Sequence, residues 1–461
     1  MSEEKHPERA AMTAALAQQL RGRILRPADA GYAVARRVWN GAIDRRPAAI
    51  VLCEDAEDVA IAVRLAAEHG TAVTVRGGGH NVAGRAVADG ALLIDLARMR
   101  AVTVNAAERS AVVEGGALWH HLDVAGAQHG LATTGGMVSS TGVGGLTLGG
   151  GVGWLMRRHG LAIDNLTAAG VVLADGRFVR ASPDEHAELF YALRGGAGGL
   201  GVVTSFEFRL HPLRQVLAGV VIRPASEARA VLRVFRDFAL EAPDEFCGMA
   251  VLASGPPLPF LDAAWHGRPV VILALCWCGE TQAGERVLEP LRRFGTVLAD
   301  HVGPIPYVQW QHLQDGATPP GRSQYWKSAS FAQLSDATIE TLAEAAAELP
   351  TRTTELHVQH LGGAVARVPQ SESAFADRSA PYFVNLIGVT PWPEEFPGVR
   401  DWVRQLHAQL APEALSSLQP NFAGQDDGDP TLRFAAQQSA RVAAARRRYD
   451  PAEMFAASLK R

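Results

Sequence analysis

Cysteine is scarce in this chain: Cys53, Cys247, Cys276 and Cys278 are the four among 461 residues. They are too few and too scattered to form a disulfide framework. Cys276 and Cys278 fall within Val270–Cys278, which reads as a strand. A period of two puts both on one face, which fits two packed thiols better than a redox pair. An excess of charge is missing as well. Lys and Arg total 44 against 48 Asp and Glu, a formal net charge of −4, so there is no electrostatic case for a nucleic-acid partner. The one basic run, Arg446-Arg447-Arg448, reads as the solvated face of a terminal helix. No apolar run reaches the length of a membrane span. The opening Met1-Ser2-Glu3-Glu4-Lys5 leads to no apolar signal core, so a cytoplasmic location with no membrane partner is expected. The Walker A phosphate loop is also absent.

What is present is an ordinary globular composition, 48% hydrophobic and 20% charged, at a length that suggests two or three domains. Up to about residue 212 the chain reads as α+β. Strand-like runs occur at Ala49–Cys53, Thr71–Val75, Ala91–Leu96, Val102–Asn105 and Ser110–Glu114. Helices are expected over Asp55–Glu68 and around Leu118–Gln128. Ala169–Ala174 and Phe178–Arg180 flank Asp175-Gly176, a hairpin signal, and Gly201–Leu210 closes this part as a strand. Ser182-Pro183-Asp184-Glu185 has the form of an N-cap with a capping box, which predicts a helix from there to about Leu193. Beyond residue 216, strands at Leu217–Ile222, Pro269–Cys278, Glu355–Leu361 and Tyr382–Val389 alternate with amphipathic helices. Those helices are Glu227–Leu240, Gln282–Phe294, Asp336–Glu348 and Gly398–Leu410. That pattern implies one sheet covered on one face by helices. The tail, Leu432–Phe455, reads as helical until Pro451.

The 46 glycines cluster in Arg76–Gly84, Gly135–Gly153 and Gly195–Gly201. Glycine lets backbone N–H groups approach a ligand closely, and successive N–H groups form an anion-binding concavity. Three such segments after strands suggest a large phosphate-bearing cofactor gripped by backbone, against the plainer reading of ordinary tight turns. Gly149-Gly150-Gly151-Val152-Gly153 matches a dinucleotide fingerprint only loosely. His80 follows three glycines at this expected meeting of backbone and cofactor. The nearest histidines, His120 and His121, have no ligand spacing, so no metal site is expected. A neutral imidazole can, however, act as a nucleophile.

The ordered motifs Val75-Arg76-Gly77-Gly78-Gly79-His80-Asn81 and Gly142-Val143-Gly144-Gly145-Leu146-Thr147-Leu148-Gly149-Gly150-Gly151-Val152-Gly153 carry a family likeness. So do Gly160–Asn165, Ala192–Gly196, Gly201–Phe206, Tyr325-Trp326-Lys327 and Tyr449–Phe455. Together they resemble the berberine bridge enzyme-like branch of the vanillyl-alcohol oxidase superfamily. The resemblance implies an α+β fold with a two-part FAD-binding domain (residues 1–215 and 416–461) and an inserted substrate domain (216–415). It implies FAD held covalently by an 8α-histidyl bond at His80. It also implies cofactor contacts from Arg76, Gly77, Gly78, Gly79, Asn81, Gly136, Val138, Thr141, Gly142, Gly145, Gly201, Val203 and Asn421. The implied activity is dehydrogenation of a small molecule (alcohol, amine, sugar or natural-product intermediate), with O₂ as electron acceptor. A dehydrogenase using another acceptor, or a non-redox cyclase or binding protein with a structural flavin, are the alternatives.

Three departures matter. Val138 stands where many relatives carry a second, cysteinyl flavin link, which points to the type linked by a single histidine and found among bacterial relatives. Thr141 occupies the position associated with oxygen access. In Gln419-Pro420-Asn421-Phe422 the family's Tyr-x-Asn motif keeps Asn421 but has Gln419 in place of the tyrosine, and glutamine cannot act as a phenolate base. Glu355, His357 and Gln359 share one face of a strand and are the replacement candidates, His being the residue type that changes charge near neutral pH. The alternative for that stripe is the exposed face of an edge strand. Tyr325 and Asn421, with Tyr382 and Lys327, complete the catalytic candidates.

Overall fold

The computed structural model describes residues 7–196, 198–375 and 377–456; the opening Met1–Lys5 segment lies outside them. The N-terminal half builds two larger sheets and a small one that pairs Leu131–Ala132 with His211–Pro212. In the first, strands Ala49–Leu52, Leu92–Asp95 and Val73–Arg76 run parallel, with Arg23–Leu25 added antiparallel at the edge. Helix Ala56–Glu68 covers it. Asp55 starts that helix by accepting the N–H groups of Glu57 and Asp58, and Val59, Ala62, Val63 and Ala66 turn its apolar stripe to the sheet. The second sheet is antiparallel, in the order Val102–Asn105, Ser110–Glu114, Val202–Arg209, Leu166–Val172, Phe178–Ala181. The Asp175-Gly176 hairpin closes two of its strands as expected.

The expected helix over residues 182–193 is shorter than its sequence signal. Ser182 does accept N–H bonds from Asp184 and Glu185, but those bonds close a separate turn. The helix proper spans Ala187–Leu193 and begins after His186, whose φ of 52° breaks the continuity.

The large antiparallel sheet runs Ala299–Asp300, Gln215–Pro224, Pro269–Trp277, Phe246–Ser254, Glu355–His360, Tyr382–Thr390, Ser323–Phe331, with Gly303–Pro306 also paired to Gln215–Pro224. Helices Ala228–Glu241, Thr281–Arg293, Asp336–Ala347 and Phe396–Leu410 cover one face. Leu232, Phe235, Leu288, Leu342 and Val403 pack there against Leu273, Leu275, Leu356, Val358 and Val384. Strand Glu355–His360 lies in the interior of the sheet, flanked by Phe246–Ser254 and Tyr382–Thr390, so the edge-strand alternative does not hold. The opposite face of the sheet looks toward the N-terminal half. The tail returns there: helix Ala436–Tyr449 packs Val442, Ala445 and Tyr449 among Leu189 and Phe190, and Met454 and Phe455 join the core of the parallel sheet. All four cysteines are buried free thiols, and Cys247, Cys276 and Cys278 share one core cluster. Among the described residues no helix is long and apolar enough to cross a membrane.

Candidate active site

A cavity of about 1390 Å³ separates the glycine segments from the uncovered face of the large sheet. Its first wall is backbone. Strand Val73–Arg76 ends in Gly77–Asn81, at the carboxyl edge of parallel strands where loops are free to meet a ligand. Gly136, Val138, Thr141, Gly142, Gly145, Gly201 and Val203 line the same wall. The first two glycine segments meet back to back, and a Cβ on Gly78 would collide with the backbone of Gly142. His80 sits at the end of the first segment. Burial pushes its imidazole down to about 4, against a backbone hydrogen bond and the charge of Asp315, so the ring is neutral at pH 7.

The second wall is made of side chains. Glu355, His357 and Gln359 project from strand Glu355–His360 into the cavity. His357 Nε2 lies 2.8 Å from Glu355 Oε2. A carboxylate only accepts, so Nε2 of a neutral imidazole carries the proton and Nδ1 keeps its lone pair. Gln359 is buried and its Nε2 donates to Met249 Sδ at 3.2 Å. Asn385, the register partner of His357 on the neighbouring strand, also lines the cavity. Met249, Val251, Ile272 and Ala274 give this wall an apolar part.

Comparison with known proteins puts names to this arrangement. Residues 47–182 match the family model described as an FAD binding domain. The chain is 32% identical to (R)-6-hydroxynicotine oxidase of Paenarthrobacter nicotinovorans, over 70% of this chain and 70% of that one. The chain belongs to the same family of FAD-linked oxidoreductases as that oxidase. The crystal structure of 6-hydroxy-D-nicotine oxidase from Arthrobacter nicotinovorans superposes with a TM-score of 0.83 at 27% identity, covering 95% of this chain and 97% of that one. A berberine bridge enzyme-like protein of Physcomitrella patens has the same fold, with a TM-score of 0.85 at 21% identity over 96% and 97% of the two chains.

The first wall fits FAD. A Cβ added at Gly145 or Gly198 meets nothing within 4 Å, so glycine at both positions leaves cavity volume that any other residue would enter. Several expected contributors stand elsewhere. Arg76 does not line the cavity; its guanidinium is held by Asp95 and by the Arg37 carbonyl. Asn421 lines it, but the amide is committed to backbone. Oδ1 accepts from Gly151 N at 3.0 Å, and Nδ2 donates to the carbonyls of Gly145 and Leu146. Asn421 thus clamps the second glycine segment, with both amide hydrogens committed to backbone carbonyls. Tyr325 points to the helix-covered face, donating to Asp426 at 2.7 Å and accepting from Arg404 at 2.9 Å, away from the cavity. Lys327 is buried against Asp426 and Asp427, and Tyr382 donates to the Arg236 carbonyl. Gln419 is buried outside the cavity lining, its Oε1 without a partner among the described residues.

Sequence reading missed Asn385 and Gln324, which also line the second wall beside Trp326. It missed Trp39 too, whose ring stacks on His80 at 4.2 Å and 19°. The Asn385 signal was available, since Asn385 shares a face with Phe383 and Ile387 in a recognised strand, opposite Val384 and Leu386. Trp39 lies in a loop and carries no local signal.

Proposed function

We propose that this protein is an oxidase that carries FAD covalently on His80 alone, with residues 1–215 and 416–461 holding the cofactor and 216–415 the substrate. It oxidises a small molecule at a C–H bond adjacent to a hydroxyl or amine. The observation that supports this reading best is the His357–Glu355 pair, 2.8 Å apart on the cavity side of an interior strand, opposite the glycine wall. FAD supplies hydride acceptance from the substrate carbon and return of the electron pair to dioxygen as hydrogen peroxide. The proton of the substrate O–H or N–H goes to His357 Nδ1, leaving a carbonyl or imine. Glu355 accepts the Nε2–H, fixes the tautomer and steadies the imidazolium while the proton resides there. The half-buried Glu355 carboxylate sits nearest solvent and gives the proton a way out. The apolar stretch from Met249 to Ala274 suits a substrate with a hydrocarbon or ring body beside its reacting heteroatom.

The test is a substrate screen read twice. Under anaerobic conditions a true substrate bleaches the flavin absorbance, and admission of air restores it with one equivalent of peroxide. Bleaching without rapid recovery in air identifies a dehydrogenase with another acceptor. Thr141 lines the cavity beside Gly142, and Thr141→Leu is expected to slow the aerobic recovery several-fold. For the covalent bond, acid-denatured protein should keep its flavin on the polypeptide and His80→Ala should lose it; free flavin from the unaltered chain rejects that part.

A further inference from the structure

His80 is held by residues that lie outside its own glycine motif. Trp39 stacks on the imidazole, and is fixed by its N–H bond to the Gly79 carbonyl at 3.1 Å and by Nε1 donating to the Thr318 carbonyl at 3.0 Å. At the ring edge, Ser140 Oγ lies 3.4 Å from His80 Nε2, at the long limit of a hydrogen bond. The turn carrying Ser140 is clasped by a single carboxylate from the short turn Asp315–Ala317, whose neighbours Gln314 and Gly316 line the cavity. Asp315 Oδ1 accepts the Ser139 N–H at 2.9 Å and Oδ2 accepts the Ser139 hydroxyl at 2.6 Å. His312 Nδ1 stands 3.1 Å from the same Oδ2, and His312 Nε2 is 3.2 Å from His120 Nδ1.

This clasp bears on one chemical difficulty. When a neutral imidazole nitrogen bonds to carbon, the ring carries positive charge until its N–H proton leaves. The pocket opposes such a charge by burial, which holds the free imidazole down at about 4, and Asp315 is the side-chain charge that acts in the other direction.

We propose that Asp315 is a positioning residue for flavin attachment at His80. Its carboxylate holds the Ser139–Ser140 turn against the imidazole edge and offsets the charge of the ring while the bond forms. The proposal rests on the covalent reading above. In that step a His80 ring nitrogen bonds to the C8 methyl carbon of the isoalloxazine. One methyl proton and the imidazole proton leave, and the electron pair passes through the isoalloxazine to dioxygen, giving hydrogen peroxide. The product is the chain plus FAD less two hydrogens.

The experiment follows attachment in the full chain, prepared flavin-free from a riboflavin-starved host and mixed with FAD in aerated buffer. Samples are denatured over time and read by in-gel flavin fluorescence and intact mass. Asp315→Asn keeps an oxygen for the Ser139 N–H but loses the charge, and should attach FAD about tenfold more slowly or worse. Its non-covalent FAD binding and melting temperature should match the unaltered chain. Asp315→Glu, which restores the charge, should recover most of the rate. Ser140→Ala, at an exposed position, should slow attachment a few-fold and supplies the reading if the Asn variant is poorly folded. Attachment at the original rate in both Asp315→Asn and Ser140→Ala overturns the proposal. So does slowing that Asp315→Glu fails to relieve, or slowing explained wholly by weaker FAD binding. If the unaltered chain releases all its flavin on denaturation while still binding it when folded, the covalent reading itself falls, and the role of Asp315 with it.

Discussion

The two walls of the cavity are built by opposite means. The glycine wall works by leaving side chains out: contiguous segments such as Gly77–Asn81 and Gly142–Gly145 offer bare backbone to the cofactor. The sheet wall works by putting side chains in, taking Glu355, His357, Asn385 and Met249 from strands that meet only through pairing. A wall made of backbone tolerates almost no substitution, because each Cβ takes up ligand volume or strikes the neighbouring glycine segment. A wall made of alternating side chains can change its chemistry one residue at a time with the sheet intact.

The largest effect that would sharpen this contrast is chemical. His357→Ala should slow anaerobic flavin reduction by about 10²–10⁴-fold, with Glu355→Gln costing less, while FAD content stays full. Reduction at the original rate in both variants would mean that the sheet wall is not catalytic. The converse change falls on the glycine wall. In a His80→Ala background, where no covalent bond holds the flavin, Gly145→Val should weaken FAD retention by about 10–100-fold with the flavin-free melting temperature unchanged, since nothing outside its own helix backbone lies within 4 Å of the new Cβ. A Val variant as yellow as its His80→Ala parent after desalting would show that the flavin is not against Gly145.

Acid should act on the fold, through histidines on the glycine wall and outside the cavity alike. Burial holds His80 and His211 at about 4, and His159 and His360 at about 3, the last three also opposed by neighbouring positive groups. All four are therefore neutral in the fold, whereas in the unfolded chain they protonate below about 6.5. The unfolded state binds more protons in that window, so stability falls as pH drops from about 6.5 toward 4. Each group contributes at most about 1.4 kcal/mol per pH unit there. Melting at pH 7 and pH 5 checks the sign, and an unchanged midpoint contradicts it. The smallest effect belongs to Tyr325→Phe. Loss of bonds to Asp426 and Arg404 should lower stability by about 1–2 kcal/mol and leave flavin reduction untouched, because this side chain faces the helices.

The reading from sequence was most complete where a feature is local. Helix Ala56–Glu68 was legible from Asp55 and its apolar spacing, and the glycine segments from composition. Strand Phe246–Ser254 was missed although it is central to the sheet: both its faces are buried, so it shows no polar alternation. Strand Ser323–Phe331 was obscured by Gln324, Lys327, Ser328 and Ser330; Lys327 is buried against Asp426 and Asp427, Ser328 donates to the Phe422 carbonyl, and Gln324 accepts from Trp326 Nε1. Asn421 was recognised as present, but its bonds to Gly145, Leu146 and Gly151 span some 270 residues of chain and have no signature along it.

Sequence alone determined the backbone cradle, the single histidine within it and the alternation that sets Glu355, His357 and Gln359 on one face. These follow from dihedral freedom and a period of two, which act between near neighbours. Tertiary structure decided which face looks into the cavity, that Tyr325 and Lys327 turn away from it, and that Trp39 and Asp315 close on His80. Those outcomes depend on strand order and on the desolvation of charges by distant segments, and neither quantity is written in any local stretch of the chain.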